Sequence, residues 1–215
     1  MPEILKCFLQ YLSIVVAGYF LGNFNTGVIV SRMLSGIDIR QHGSGNAGAT
    51  NMLRVLGRQS ALLTLIGDIA KGLIAITLGQ WIAGVPGGFA GGTAAIVGHC
   101  WPVFFGFKGG KGVATTLGVL TWLLPEAGLL CLAVFLAIFL ATRYVSLGSV
   151  MGALFGAVYV CGIHWGGALI CCAAALWCAI IVARHVSNLK RLWNGTEPKL
   201  DFSVFKSKIT KTKSE

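Results

Sequence analysis

The sequence predicts an all-α integral membrane protein, a bundle of about seven transmembrane helices with some of them short. Three observations predict it. Only 11% of the 215 residues are charged and 55% are hydrophobic, whereas a soluble domain carries about 25% charged residues. The mean hydropathy is +0.78. Most charged residues cluster at 32–58, 108–111, 143 and 184–215, separated by long apolar tracts. A helix needs about 20 apolar residues to cross a bilayer, and several tracts approach that length. At this chain length one bundle is expected rather than two domains.

The first span is expected over 4–19, reaching 30 if tilted. No small-residue cleavage site follows its apolar run, so it is expected to stay in place. Its far end is interrupted by Gly22-Asn23-Phe24-Asn25-Thr26-Gly27, whose amides lipid cannot satisfy. A long polar loop is expected over 32–60. The second span, 61–83, carries Asp68 and Lys71 three residues apart on one helix face, where they can pair. A turn at 84–88 leads to a third span over 89–105. A fourth, 113–124, is short for a full crossing and stops at Pro125-Glu126. Spans five to seven are expected over 128–142, 150–163 and 168–183, with turns at 143–149 and 164–167.

Counting charges orients these spans. With seven crossings and the N-terminus outside, only Lys6 and Lys71 of the 17 Lys and Arg fall away from the inner segments. The C-terminus is then cytoplasmic, as the excess of basic residues on that side requires. The outer turns hold only Glu126 among charged residues. Every polar or glycine-rich motif comes out on one side.

Composition also narrows the chemistry. The net charge of +10 is not spread as a continuous basic face, so nucleic-acid binding is not expected. The seven cysteines form no Cys-x-x-Cys pair and read as small apolar side chains. No metal site or cofactor is expected. His42, His99 and His164 have no partner at ligand spacing and read as structural.

Three motifs carry chemistry. The stretch Gly106-Phe107-Lys108-Gly109-Gly110-Lys111-Gly112 precedes an apolar helix. A glycine-rich turn entering a helix points backbone N–H groups and the helix dipole at one spot, and Lys108 and Lys111 add charge, which suits phosphate. It is not a nucleotide P-loop, because Gly112 stands where that motif needs Ser or Thr. The competing reading is a hairpin turn whose lysines only mark the inner side. The second motif, 43–54, interleaves small residues with amides. Ser44 lies between two glycines and so can approach a ligand closely. Asn46, Thr50, Asn51 and Arg54 recur at helical spacing, and Arg54 can hold phosphate through two N–H groups. The competing reading is a solvated loop, which leaves its lack of charged solubilisers between Gly43 and Asn51 without a reason. In the third, His185, Asn188 and Arg191 form a stripe three apart as the last helix leaves the membrane. Such a histidine can orient a hydroxyl, whereas a purely basic juxtamembrane helix would bind anionic headgroups. Ser146 and Ser149 follow Arg143 in what reads as an ordinary loop. No Gly-x-Ser-x-Gly elbow, His-x-x-x-x-Asp motif or paired carboxylate occurs on the inner side, so a covalent seryl intermediate is not expected.

Taken together and in order, these motifs resemble the bacterial acyl-phosphate:glycerol-3-phosphate acyltransferases of the inner membrane. The resemblance runs over 18–202. It also takes in Asp38-Ile39-Arg40, Gly67-Asp68, Lys71-Gly72, Gly98-His99, Arg143-Tyr144-Val145-Ser146 and Gly195-Thr196-Glu197-Pro198. It implies one acyltransferase domain over 1–200 with a basic cytoplasmic tail over 201–215. It implies seven spans, a cytoplasmic-side active site, and acyl transfer from acyl phosphate to the sn-1 hydroxyl of glycerol 3-phosphate within a lipid bilayer. The family's phosphate loop matches Gly109, Gly110, Lys111 and Gly112. Its first-motif serine and arginine match Ser44 and Arg54, and its histidine and asparagine match His185 and Asn188. A further site serine matches either Ser146 or Ser149, and a structural glutamate matches Glu197. The family's usual Gly-Ser-Ile-Pro is replaced by Gly22-Asn23-Phe24-Asn25, where Asn23 would supply an amide for any serine contact. A small transporter or flippase for an anionic solute is the competing function, motivated by Asp68 and Lys71 inside a span. A structural scaffold is a third.

Overall fold

The structure, a computed structural model, describes residues 2–164 and 166–201. The expected tail therefore lies outside the described residues apart from Asp201. Regular structure among the described residues is helical throughout: α1 (Glu3–Asn23), α2 (Thr26–Ser35), a 3-10 turn (Ile39–Gln41), α3 (Ala49–Cys100), a second 3-10 turn (Val103–Phe105), α4 (Val113–Leu123), α5 (Pro125–Thr142), α6 (Val145–Ile163), α7 (Ala168–Arg184) and α8 (Val186–Trp193).

The break after α1 is built from the two asparagines that replace the resembling family's Ser-Ile-Pro. Asn23 Nδ2 donates to the Tyr19 carbonyl at 2.8 Å, and Asn23 Oδ1 accepts from the Phe104 N–H at 3.3 Å. Asn25 caps α2 by accepting from the Val28 N–H at 3.4 Å, which satisfies one of the orphan donors of a helix start. Both amides serve the break, and neither lines the cavity described below.

Helix α3 corrects the expected polar loop. It begins at Ala49, so the last part of 32–60 is helical rather than loop. It is also not one rod. Gly57 interrupts it at φ 81°, and Ala83 and Gly84 leave helical geometry together. At the second break the chain reverses. A Cβ on Gly79 would lie 2.2 Å from the Gly87 carbonyl oxygen, and one on Gly91 would lie 2.5 Å from that of Ala75. Only glycine allows backbones so close. The returning limb also packs against α1, running in the same direction: Gly18 faces Gly91 and Gly22 faces Ala95.

Helix α4 is short, as expected, and Pro125 starts α5 at a position where its missing N–H costs nothing. The turn expected over 143–149 shrinks to Arg143 and Tyr144, because α6 begins at Val145. Ser146 and Ser149 are thus helical rather than in a loop. Helices α7 and α8 meet at His185 with a 57° bend.

Among the described residues, four helical stretches are long and apolar enough to cross a membrane, or five if the bent α7–α8 pair is one span. Large apolar side chains face outward, such as Trp81 at 84% and Val158 at 74% exposure, and only lipid or a partner surface makes that arrangement favourable. Within the bundle Ile76, Phe89, Ile96, Val119 and Trp177 form the main core. Trp177 stacks on Phe89 and donates its indole N–H to Thr93 Oγ1 at 2.9 Å. The Asp68–Lys71 pair, which their spacing allows without requiring, forms with Oδ1 and Nζ 2.8 Å apart.

Candidate active site

Residues 107–112 connect the second 3-10 turn to α4, and two arginines hold their carbonyl side. Arg40 donates to the carbonyls of Phe105 at 2.7 Å and Lys108 at 3.5 Å. Asp38 orients that guanidinium through two bonds, Nε to Oδ1 at 2.9 Å and a terminal nitrogen to Oδ2 at 2.7 Å. Arg184 donates to Gly110 O at 3.0 Å and Gly109 O at 3.1 Å. In a trans peptide the next N–H points away from the carbonyl. The Lys111 N–H therefore faces the side opposite Arg184. Gly112, at φ 83°, turns the chain into α4, whose first N–H groups have no intrahelical partner and no side-chain cap. The result is a donor-rich loop tethered from behind.

The segment from Asn188 to Glu197 closes over this loop. Lys111 Nζ donates to Asn188 Oδ1 at 2.5 Å, and Asn188 Nδ2 donates to Glu197 Oε1 at 2.6 Å. Ser146 Oγ donates to the same oxygen at 2.7 Å, and Arg191 Nε to Glu197 Oε2 at 2.8 Å. Burial opposes the Glu197 carboxylate, but the bonds from Asn188, Ser146 and Arg191 outweigh it and hold the carboxyl below its usual range. Burial pushes the Lys111 ammonium down to about 8, with Arg191, Arg54 and Arg184 adding to the fall and Glu197 opposing it. His185 sits at the α7–α8 bend. Its Nδ1 lies 2.8 Å from the Ile181 carbonyl. A carbonyl only accepts, so Nδ1 carries the proton and Nε2 is left to meet a ligand.

The third wall is the loop before α3. Asn51 is its clamp: Nδ2 donates to the carbonyls of Ile39, His42 and Asn46, and Oδ1 accepts the Ser44 N–H at 2.8 Å. Asn46 Oδ1 accepts the Gly48 N–H at 2.8 Å. Ser44 stays exposed on this loop. Arg54 is half-buried and donates to Pro198 O at 3.2 Å, linking α3 to the segment that follows α8.

These walls enclose one cavity of about 1290 Å³, and every residue the sequence singled out for the site lines it except Gly110. Gly110 lies behind the loop against His99. The polar end holds Ser44, Arg54, Lys111, His185 and Asn188. The other end is apolar and runs between α4, α5, α6 and α7 past Phe135, Gly156, Val160 and Trp177. Ser146 and Val160 both line it, and along α6 they are roughly 21 Å apart at the helical rise per residue. Ser146 bonds Glu197, whereas Ser149 Oγ donates to its own helix at Val145 O, 2.9 Å away. Asn51 lines the cavity but its amide is committed to the loop, so its part is to hold Ser44 in place.

Motif reading missed the anchoring of the glycine-lysine loop by Arg40 and Arg184. The only signal for Arg184 was a basic residue immediately before His185. Nothing local ties it to a loop 74 residues away.

The family model described as glycerol-3-phosphate acyltransferase matches residues 12–195. A glycerol-3-phosphate acyltransferase of Clostridioides difficile is 41% identical over 197 residues, covering 89% of this chain and 96% of that one. Its counterpart in Halalkalibacterium halodurans is 44% identical over 196 residues, covering 87% and 94%. The crystal structure of PlsY (YgiH), an integral membrane glycerol 3-phosphate acyltransferase, in its glycerol 3-phosphate form superposes with a TM-score of 0.86 at 35% identity, covering 92% of this chain and 99% of that one. The lysophosphatidic acid form of PlsY superposes at 0.83. With cation-lined and apolar ends joined in one cavity, and with this extent of likeness, the chain belongs to the family of integral membrane glycerol-3-phosphate acyltransferases.

Proposed function

We propose that the acyl donor is an acyl phosphate and that the products are lysophosphatidate and inorganic phosphate. The observation that carries this reading is the pairing of a cation-rich mouth with an apolar shaft in a single cavity. Lys108, Lys111, Arg54 and Arg191 line the cavity together with two carboxylates, Glu197 and Asp68, the second already paired with Lys71. That surplus suits two phosphate groups, one on each substrate, while the shaft suits a fatty chain. The glycerol 3-phosphate and lysophosphatidic acid forms of the related PlsY structures are consistent with an anionic acceptor and a lipid product.

In this mechanism the sn-1 hydroxyl oxygen attacks the acyl carbonyl carbon, the new ester C–O bond forms, and the bond from that carbon to the phosphate oxygen breaks. The departing phosphate takes the electron pair. Lys111 and the loop N–H groups stabilise its growing charge. Arg54 and Ser44 hold the acceptor phosphate, and His185 and Asn188 orient the hydroxyl. A mixed anhydride is already activated, so no strong base is required, and a substrate phosphate oxygen accepts the hydroxyl proton. Positioning of this kind contributes on the order of 7–11 kcal/mol in favourable cases.

The chain is proposed to cross a bacterial inner membrane seven times, with the N-terminus outside and this mouth on the cytoplasmic side. The reversal at Ala83–Gly84 supports that count, because it divides α3 into two antiparallel limbs. The basic clusters on one side support the orientation. The detergent-purified protein, given acyl phosphate and glycerol 3-phosphate, is expected to release phosphate and lysophosphatidate in equal amounts. Transfer from an acyl thioester instead, with none from acyl phosphate, would overturn the donor assignment.

A further inference from the structure

Behind the glycine-lysine loop lies a second polar cluster that the reaction above does not use. Asp68, Lys71 and His99 are each at most 5% exposed. Lys71 Nζ lies 2.8 Å from Asp68 Oδ1, 2.7 Å from His99 Nδ1 and 3.0 Å from the Phe24 carbonyl. Thr26 Oγ1 donates to the same Asp68 oxygen at 3.1 Å. The ammonium therefore has three acceptors, and the carboxylate is paired. An ammonium only donates, so His99 Nδ1 must accept, and the imidazole proton is placed on Nε2.

That Nε2 edge meets the loop. A Cβ on Gly110 would lie 2.1 Å from His99 Nε2, and one on Gly109 would lie 2.1 Å from the His99 carbonyl oxygen. The same carbonyl accepts the Gly110 N–H at 3.1 Å. His99 thus supports two consecutive glycines from below, with its ring and its backbone, while Arg184 holds their carbonyls from the side. Both glycines must lack side chains for this approach, which accounts for Gly110 sitting outside the cavity lining.

We propose that Asp68, Lys71 and His99 are positioning residues: the carboxylate fixes the ammonium, the ammonium fixes the imidazole tautomer and rotamer, and the imidazole sets the height of the loop that grips phosphate. This deepens the functional reading given above, because it assigns a support to the loop proposed to hold phosphate. Asp68 and His99 reach the cavity lining, but their side-chain polar contacts are with Lys71 and Thr26.

Two variants test it in the detergent-solubilised full chain. His99→Asn keeps an acceptor for Lys71 but withdraws the ring from Gly110. Asp68→Asn with Lys71→Met removes both charges together, so no buried charge is left unpaired. Binding of inorganic phosphate by equilibrium dialysis reads the loop directly, kcat and KM read turnover, and thermal unfolding reads the fold. Each variant is expected to unfold within a few degrees of the parent. Phosphate binding is expected to weaken at least tenfold and kcat/KM to fall at least 30-fold, with KM rising more than kcat falls. A folded variant of either kind with parental phosphate affinity overturns the proposal. If His99→Asn does not fold, the charge-free pair decides alone. If the parent binds phosphate but transfers no acyl group from acyl phosphate, the donor assignment fails and this inference is judged on phosphate binding only.

Discussion

Among the described residues two buried clusters are built around a carboxylate, and they differ in one respect. Around Asp68 the charges close on themselves. Lys71 is the partner cation, His99 and Thr26 complete the bonding, and both members of the ion pair are at most 6% exposed. Around Glu197 the bonding is just as complete, with Asn188, Ser146 and Arg191 all donating, but the surroundings carry more positive charge than one carboxylate balances. Lys111 and Arg54 border that cluster, and burial already weakens the Lys111 ammonium. A closed cluster can fix the backbone around it. One with unbalanced cations beside a cavity remains a host for an anion. The difference also weighs against the transport alternative, because Asp68 and Lys71 are locked to each other and to fixed acceptors.

The largest expected effect comes from removing the cation at the open cluster. Lys111→Ala is expected to lower kcat/KM by about 10³-fold, in the range seen when a single stabilising donor is removed. The protein should still fold, since the variant relieves a buried charge. Phosphate release in detergent measures it, and a parental rate would place the phosphate elsewhere. His185→Ala should follow, at about 10²-fold in kcat, with glycerol 3-phosphate KM changing less.

A pH profile sharpens the comparison further. The Lys111 ammonium in the free protein is pushed down to about 8, so the charged form prevails below that pH and is lost above it. The expected result is a kcat/KM that falls about tenfold per unit above pH 8. In Lys111→Arg, whose guanidinium stays charged, that fall should vanish even if the plateau is lower. The smallest effect is expected for Ser146→Ala. It removes one of three donors to Glu197 and leaves Asn188 and Arg191 in place, a loss of about 1 kcal/mol or a few-fold in rate. Thermal unfolding and kcat/KM together would detect it.

The apolar tracts, the break near Asn23, the short fourth helix and the glycine-lysine turn were all readable locally, because each depends on hydropathy or on residues within a few positions. The start of α3 was not. Its first turn is made of Ala49, Thr50 and Asn51, which have no apolar period of their own, and the helix is held there by the Asn51 side chain reaching back to Ile39 and His42. Ser146 and Ser149 were misplaced in a turn for a similar reason. Polar residues after Arg143 look like loop until Glu197, about fifty positions away, provides one of them with a partner.

By itself the sequence determined that the chain is a helical membrane protein and which residue types could handle phosphate, since composition and short spacings express solvent preference and local geometry. Only the tertiary structure decided which of those residues meet and which ones support others. Gly110 is turned away from the cavity, Asn51 is committed to its own loop, and Arg184 and His99 hold the backbone of a distant turn. Those assignments rest on hydrogen bonds between segments tens of residues apart, and a bond of that kind has no signature in the order of residues on either side of it.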